Sequence, residues 1–302
     1  MNSARPLLLS ALLLTTPVIW AQKGSPDPAW WAKYQYLSQH AADAPAGKTT
    51  SLTVGANVNV SQECGPQSET FITLNPAGPS MLAAGSNEIF RDPMRGYYSS
   101  DGGSTWRGVD LPLPPPQGAN GVRFGSDPSL AFDSRGNVFY SYIVVFFGNG
   151  NGVNGTEMAV ARSGDGGKTY PFVNYFAAAG GSDHFNDKPM IAADANPASR
   201  YRDNVYVAWD AAVGGSSSGG LRFARSTDHG ATFTVSRIDN PRGPGSSIAA
   251  VPFVGPNGEV YVAWNDYAAN TIAFNRSFDG GATFGTPSVV ATKSIAFEIN
   301  LQ

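Results

Sequence analysis

The sequence predicts an all-β chain of radially repeated four-stranded antiparallel sheets, a β-propeller. Three observations carry this prediction. One octapeptide recurs four times, a second hairpin precedes each copy, and the composition suits many short strands joined by tight turns.

The octapeptides are SSDGGSTW at 99–106, SGDGGKTY at 163–170, STDHGATF at 226–233 and SFDGGATF at 277–284. They share the pattern S-x-D-x-G-x-T-aromatic. Asp101, Asp165, Asp228 and Asp279 are separated by 64, 63 and 51 residues, a spacing that suits four strands per unit. Each position has a mechanical reason. The aspartate accepts hydrogen bonds from the turn backbone, the glycine takes a positive φ, and the closing ring buries apolar surface beneath the hairpin.

Upstream, FITL turns through NPAGPS into MLAAGSN, and SLAF through DSRGN into VFYSYIVVF. Likewise MIAAD turns through NPASRYRDN into VYVAW, and IAAVPFV through GPNGE into VYVAW. Four blades follow, at about 65–113, 122–178, 185–240 and 245–291. A sandwich would not return the same turn at nearly fixed spacing.

The third observation is 35 Gly, 22 Pro and 12% aromatic residues in 302. Only 14% of residues are charged and the net charge is -3, so no basic stripe exists for nucleic acid. Arg5, the apolar run Leu7–Leu14 and the small residue Ala21 read as an export signal over 1–21, with the protein secreted to the periplasm or beyond after cleavage near Ala21. No run approaches the length of a membrane span. Residues 22–51 read as an N-terminal leader with a short helix, and 52–302 as the propeller. A single cysteine, Cys64, forms no internal disulfide.

Strand direction sorts residues by face. Strands alternate through a blade, so the octapeptides, which join third to fourth strands, mark the face opposite the starts of the first strands. Those starts carry Glu69, Asp127 and Asp187 with Lys188, three acids at equivalent positions of successive blades. Such a ring could donate protons or hydrogen-bond a sugar. Alternatively, each acid ties the inter-blade loop to the next strand. Arg91, Arg95, Arg123 and Arg242 lie in loops of the same face, with Tyr267, and are candidates to hold a substrate carboxylate, although a solvated surface arginine is the commoner explanation for any one of them. Nothing in the spacing specifies a metal or cofactor, and oligomeric state is not encoded in any readable feature.

The four octapeptides resemble the Asp-box, or BNR, repeat of bacterial secreted sialidase-like proteins, over roughly 65–290. The resemblance implies a propeller and a glycan or protein ligand on the first-strand face. Sialidases similar to this chain use three arginines on the sialic acid carboxylate, an acid/base carboxyl and a Tyr–Glu nucleophile. That set has no placement here, because Glu69, Thr70 and Phe71 stand where an Arg-Ile-Pro signature precedes the first box. The resemblance implies six blades against four visible, so the chain reads either as a truncated ring or as a closed four- or five-bladed one. Two functions follow: an exo-glycosidase of sialidase type, or a non-catalytic propeller. The latter predicts aromatic and polar surface around Tyr97, Tyr142, Trp209, Trp264 and Tyr267, although Trp209 and Trp264 end second strands, where packing between blades is the commoner role.

Overall fold

A computed structural model describes residues 55–118, 120–148, 153–180, 184–213, 219–240 and 245–293, together with Gln35, Ser38 and Gln39. The chain divides into two units, Met1–Ala56 and Asn57–Gln302. Of the first, Gln35, Ser38 and Gln39, all helical, and Gly55 and Ala56 are described. The export signal and the rest of the leader lie outside the described residues.

The second unit holds four sheets, each of four antiparallel strands in chain order. The first blade is β1 (Gln67–Leu74), β2 (Leu82–Glu88), β3 (Met94–Ser99) and β4 (Arg107–Leu111). The second is β5 (Val122–Phe132), β6 (Val138–Phe147), β7 (Val153–Ser163) and β8 (Phe172–Gly180). The third is β9 (His184–Ala193), β10 (Val205–Val213), β11 (Gly220–Ser226) and β12 (Thr234–Arg237). The fourth is β13 (Ser247–Val254), β14 (Val260–Asp266), β15 (Thr271–Ser277) and β16 (Ser288–Thr292).

The core lies between blades. Successive side chains of a strand point to opposite neighbours. Leu130 and Phe132 of β5 therefore pack with Met94 and Leu111 of the first blade, while Ala131 joins Val205 and Trp209 of the third. A third cluster joins Tyr206, Leu221 and Phe223 to Val260 and Trp264 of the fourth. Inner blades are covered on both faces, which is why β6 reads as a nearly continuous apolar run. Trp209 and Trp264 are core residues at 1% and 3% exposed, and Tyr97 and Tyr142 are buried too. Trp209 and Trp264 thus pack between blades, Tyr267 is exposed, and Tyr97 and Tyr142 are buried rather than on the surface, because their strand faces meet a neighbouring blade or chain segment.

The octapeptides form one network four times. In the second blade, Ser163 Oγ donates to Asp165 Oδ1 at 2.7 Å and accepts from Gly167 N at 2.8 Å. The Thr169 amide and hydroxyl donate to the two Asp165 oxygens at 3.0 and 2.7 Å. The same bonds recur around Asp101, Asp228 and Asp279. Two consecutive left-handed residues precede each Thr turn, at Gly166 and Gly167, for example, with φ of 78° and 92°. In the last three blades the closing ring packs against the preceding blade, as Tyr170 does with Met94 and Leu111.

Candidate functional site

The first strands β1, β5, β9 and β13 pack side by side in that order. At their C-terminal ends they line a common cavity of about 490 Å³ that includes Leu74, Phe132, Ala193 and Val254, so they surround one axis. Their N-terminal ends ring the opposite mouth.

Each first strand breaks register with its partner near that mouth. The irregularity falls between Ser68 and Phe71, between Ser126 and Ser129, opposite Trp209 in β9, and between Ile248 and Val251. One residue of each bulge is left-handed: Glu69 (φ 52°), Asp127 (φ 60°), Lys188 (φ 50°) and Ala249 (φ 57°). None is glycine, and such backbone costs about 1–3 kcal/mol at each position. The register therefore revises the expected equivalence. Glu69, Asp127 and Lys188 are the matching positions, and Asp187 stands one residue earlier, facing Asp210 across the sheet.

The bulges bring Glu69, Asp127 and Lys188 together from three blades. Lys188 Nζ ion-pairs with Glu69 Oε1 and lies 3.5 Å from Asp127 Oδ1. Asp127 Oδ2 accepts the Lys188 backbone N–H at 3.2 Å. Asn87 completes the cluster, its Oδ1 accepting Asp127 N at 2.9 Å while its Nδ2 donates to Glu69 Oε2 and Ser126 Oγ, both at 3.1 Å. Asp127 is buried, whereas the Glu69 and Lys188 side chains are 35% and 40% exposed and reach solvent. Contact with Asp127, then burial, raises Glu69 above the usual carboxylate range, and Lys188 offsets this only in part. Burial opposes the Lys188 charge, but contact with Glu69 and the fields of Asp127, Glu69 and Asp187 outweigh it and raise its pKa. Asp127 thus ties the second blade to the third through the Lys188 amide and to the first through Asn87, beside the exposed ends of Glu69 and Lys188.

The arginines do not join this cluster. Arg91 forks onto Asp110, Nη2 lying 2.9 Å from each oxygen, and Arg95 Nη1 reaches the same carboxylate at 2.7 Å. Arg95 also pairs with Glu63 at 3.2 Å. Arg123 binds Asp92 at 3.0 Å and the Pro114 carbonyl at 2.8 Å. Two arginines do converge on one carboxylate, but it belongs to the protein. Arg242 lies outside the described residues. Tyr267 is exposed beside Ser246 and Gly245, in the turn after β14.

One pairing escaped the sequence reading. The Tyr97 hydroxyl donates to Glu88 Oε1 and lies 3.0 Å from Ser86 Oγ. Glu88 and Ser86 alternate on one face of β2 and Tyr97 faces them from β3, a signal readable only once the register is known. Tyr97 is buried against Trp106 and Val60, and burial followed by the Glu88 contact raises its pKa. That is the opposite of an activated phenolate. Among the described residues no cluster of His, Cys, Asp and Glu is arranged to hold a metal ion. A larger cavity, of about 670 Å³, borders the fourth blade around Arg276 and Asp279, and Asp279 is already committed to its turn.

Solved structures share this architecture. The leech intramolecular trans-sialidase superposes with a TM-score of 0.57 over 80% of this chain and 54% of its own, at 14% identity. The NanB sialidase of Streptococcus pneumoniae gives 0.53 over 83% and 55%, at 12% identity. The fold is a sialidase-like β-propeller. The α-L-arabinanase of Penicillium chrysogenum also matches, at 0.50 over 72% of this chain and 64% of its own, with 17% identity. This propeller therefore spans about half the length of the two sialidases. No protein-family model and no curated protein sequence matches it. No described helix is long and apolar enough to cross a membrane.

Proposed function

We propose that this propeller is a secreted glycan-binding protein that takes a neutral sugar at the mouth ringed by the first strands. One observation carries the reading: strained bulges from three blades deliver Glu69, Asp127 and Lys188 to one half-exposed spot. Carboxylates and an ammonium held in fixed geometry suit sugar hydroxyls, which both donate and accept. A clamp for an anionic sugar is not supported, because Arg91, Arg95 and Arg123 carry the protein's own carboxylates. The arabinanase of similar fold supplies the neutral sugar to try, and the sialidases the anionic one. Titration calorimetry of arabinobiose and of 3'-sialyllactose tests this. Binding of the arabinoside, weakened about tenfold in Asp127→Asn, supports the reading; binding of the sialoside alone overturns it.

Hydrolysis is the second reading, favoured by the raised pKa of Glu69, which suits a proton donor. Contact between Glu69 and Asp127 leaves them closer than the roughly 5–9 Å that separates paired glycosidase carboxyls. An acid/nucleophile pair would thus need Asp187 rather than Asp127. Release of a fluorophore from arabinoside and sialoside substrates, abolished in Glu69→Gln, is the result this reading requires.

A further inference from the structure

Asp210, on β10, is 3% exposed and has no part in the cluster at the mouth. Its Oδ2 accepts the bulge N–H of Ala249, the first strand of the fourth blade, at 2.8 Å. Its Oδ1 is buried with no hydrogen-bond partner. Directly opposite on β9 stands Asp187, and Asp239, which follows β12, adds a second negative field. Asp239 is held by Arg237 at 2.5 Å, and Lys188 beside Asp187 turns to Glu69 and Asp127. Leu221 on β11 and the Ala249 backbone on β13 bring no charge.

The repeat supplies an internal control. Asn87 occupies the same place in the first blade, opposite the residue before the bulge, and its Oδ1 accepts the bulge N–H of the second blade. Asn265 stands at the matching position of the fourth. An amide performs this tie without a charge. A carboxylate performing it leaves one buried oxygen without a donor and a buried charge without a cation beside it, and a proton removes that charge.

We propose that the carboxyl of Asp210 is a titratable latch between the third and fourth blades, closed while it carries a proton and loosened when the proton leaves. Burial, with Asp187 and Asp239 adding to it against the Ala249 bond, pushes Asp210 up to about 8. In the unfolded chain an aspartate titrates near 4. Between those values the folded protein holds the extra proton, so stability falls as pH rises from about 4 to about 8 and levels off above. The junction that loosens adjoins Asp187 and Lys188.

Thermal unfolding of the full chain and of Asp210→Asn from pH 5 to 9.5 tests the latch. The natural protein should lose several degrees between pH 5 and 8.5, while Asp210→Asn stays nearly level and is the more stable at pH 8. Parallel curves overturn the proposal. A carboxyl carbon NMR titration of the natural protein tests it without a variant: a midpoint for Asp210 near 8 supports the latch, and one below 5 refutes it. Asp187→Asn should move that midpoint to lower pH.

Discussion

The two faces of this propeller treat repetition in opposite ways. On one, four octapeptide turns build the same network, with Ser, Asp, Gly and Thr in the same roles and bond lengths that agree within a few tenths of an ångström. On the other, four bulges share one strained backbone conformation but carry Glu, Asp, Lys and Ala. A turn that must close a hairpin has one good solution and keeps it. A bulge that presents a side chain to the axis keeps its geometry while its chemistry varies, which is the pattern expected of a site built on a scaffold.

Substitutions on the turn face should cost stability. Ser163→Ala strips the buried Gly167 N–H of its acceptor and should destabilise by about 1–3 kcal/mol, with ligand affinity unchanged, in denaturant titration. On the mouth face, Asp127→Asn keeps an acceptor for the Lys188 amide but loses the charge beside its ammonium. Affinity should fall about tenfold, or roughly 1.4 kcal/mol, with little change in unfolding. Ala249→Gly relieves the left-handed backbone and should stabilise by about 0.5–1 kcal/mol, since alanine there lends the mouth no functional group. Arg91→Ala removes a half-exposed ion pair and should change stability by under about 1 kcal/mol and binding not at all. Equal binding losses in Ser163→Ala and Asp127→Asn would erase the distinction between faces.

The faces also titrate apart. Thr hydroxyl and amide donors hold Asp101 and Asp279 down at about 2. The unfolded value lies near 4, so the turns contribute fully above it and lose their contribution as pH falls from about 4 to about 2. The Asp210 latch acts above that window, with the opposite sign.

The turn face was legible in the sequence because its logic is local: every partner of Asp165 lies within four residues. The first strands of the four sheets start at Gln67, Val122, His184 and Ser247. The mouth was legible only in part. Glu69, Asp127 and Lys188 could be placed on the correct ends of their strands. Their meeting depends on contacts 61 and 119 residues apart, and on bulges that shift register by a residue. That shift is why Asp187 was aligned with the wrong partners. The partners of Arg91, Arg95 and Arg123 were not legible, because a loop arginine looks the same in sequence whether it awaits a ligand or holds Asp110 or Asp92.

The central claim, that ligand meets this protein at the bulges, is tested most directly by hydrogen exchange with and without saturating arabinobiose. The account predicts slowed exchange at residues 67–71, 125–129 and 186–190, with the octapeptide turns unchanged. Slowed exchange confined to the turns, with the bulges unaffected, would contradict it.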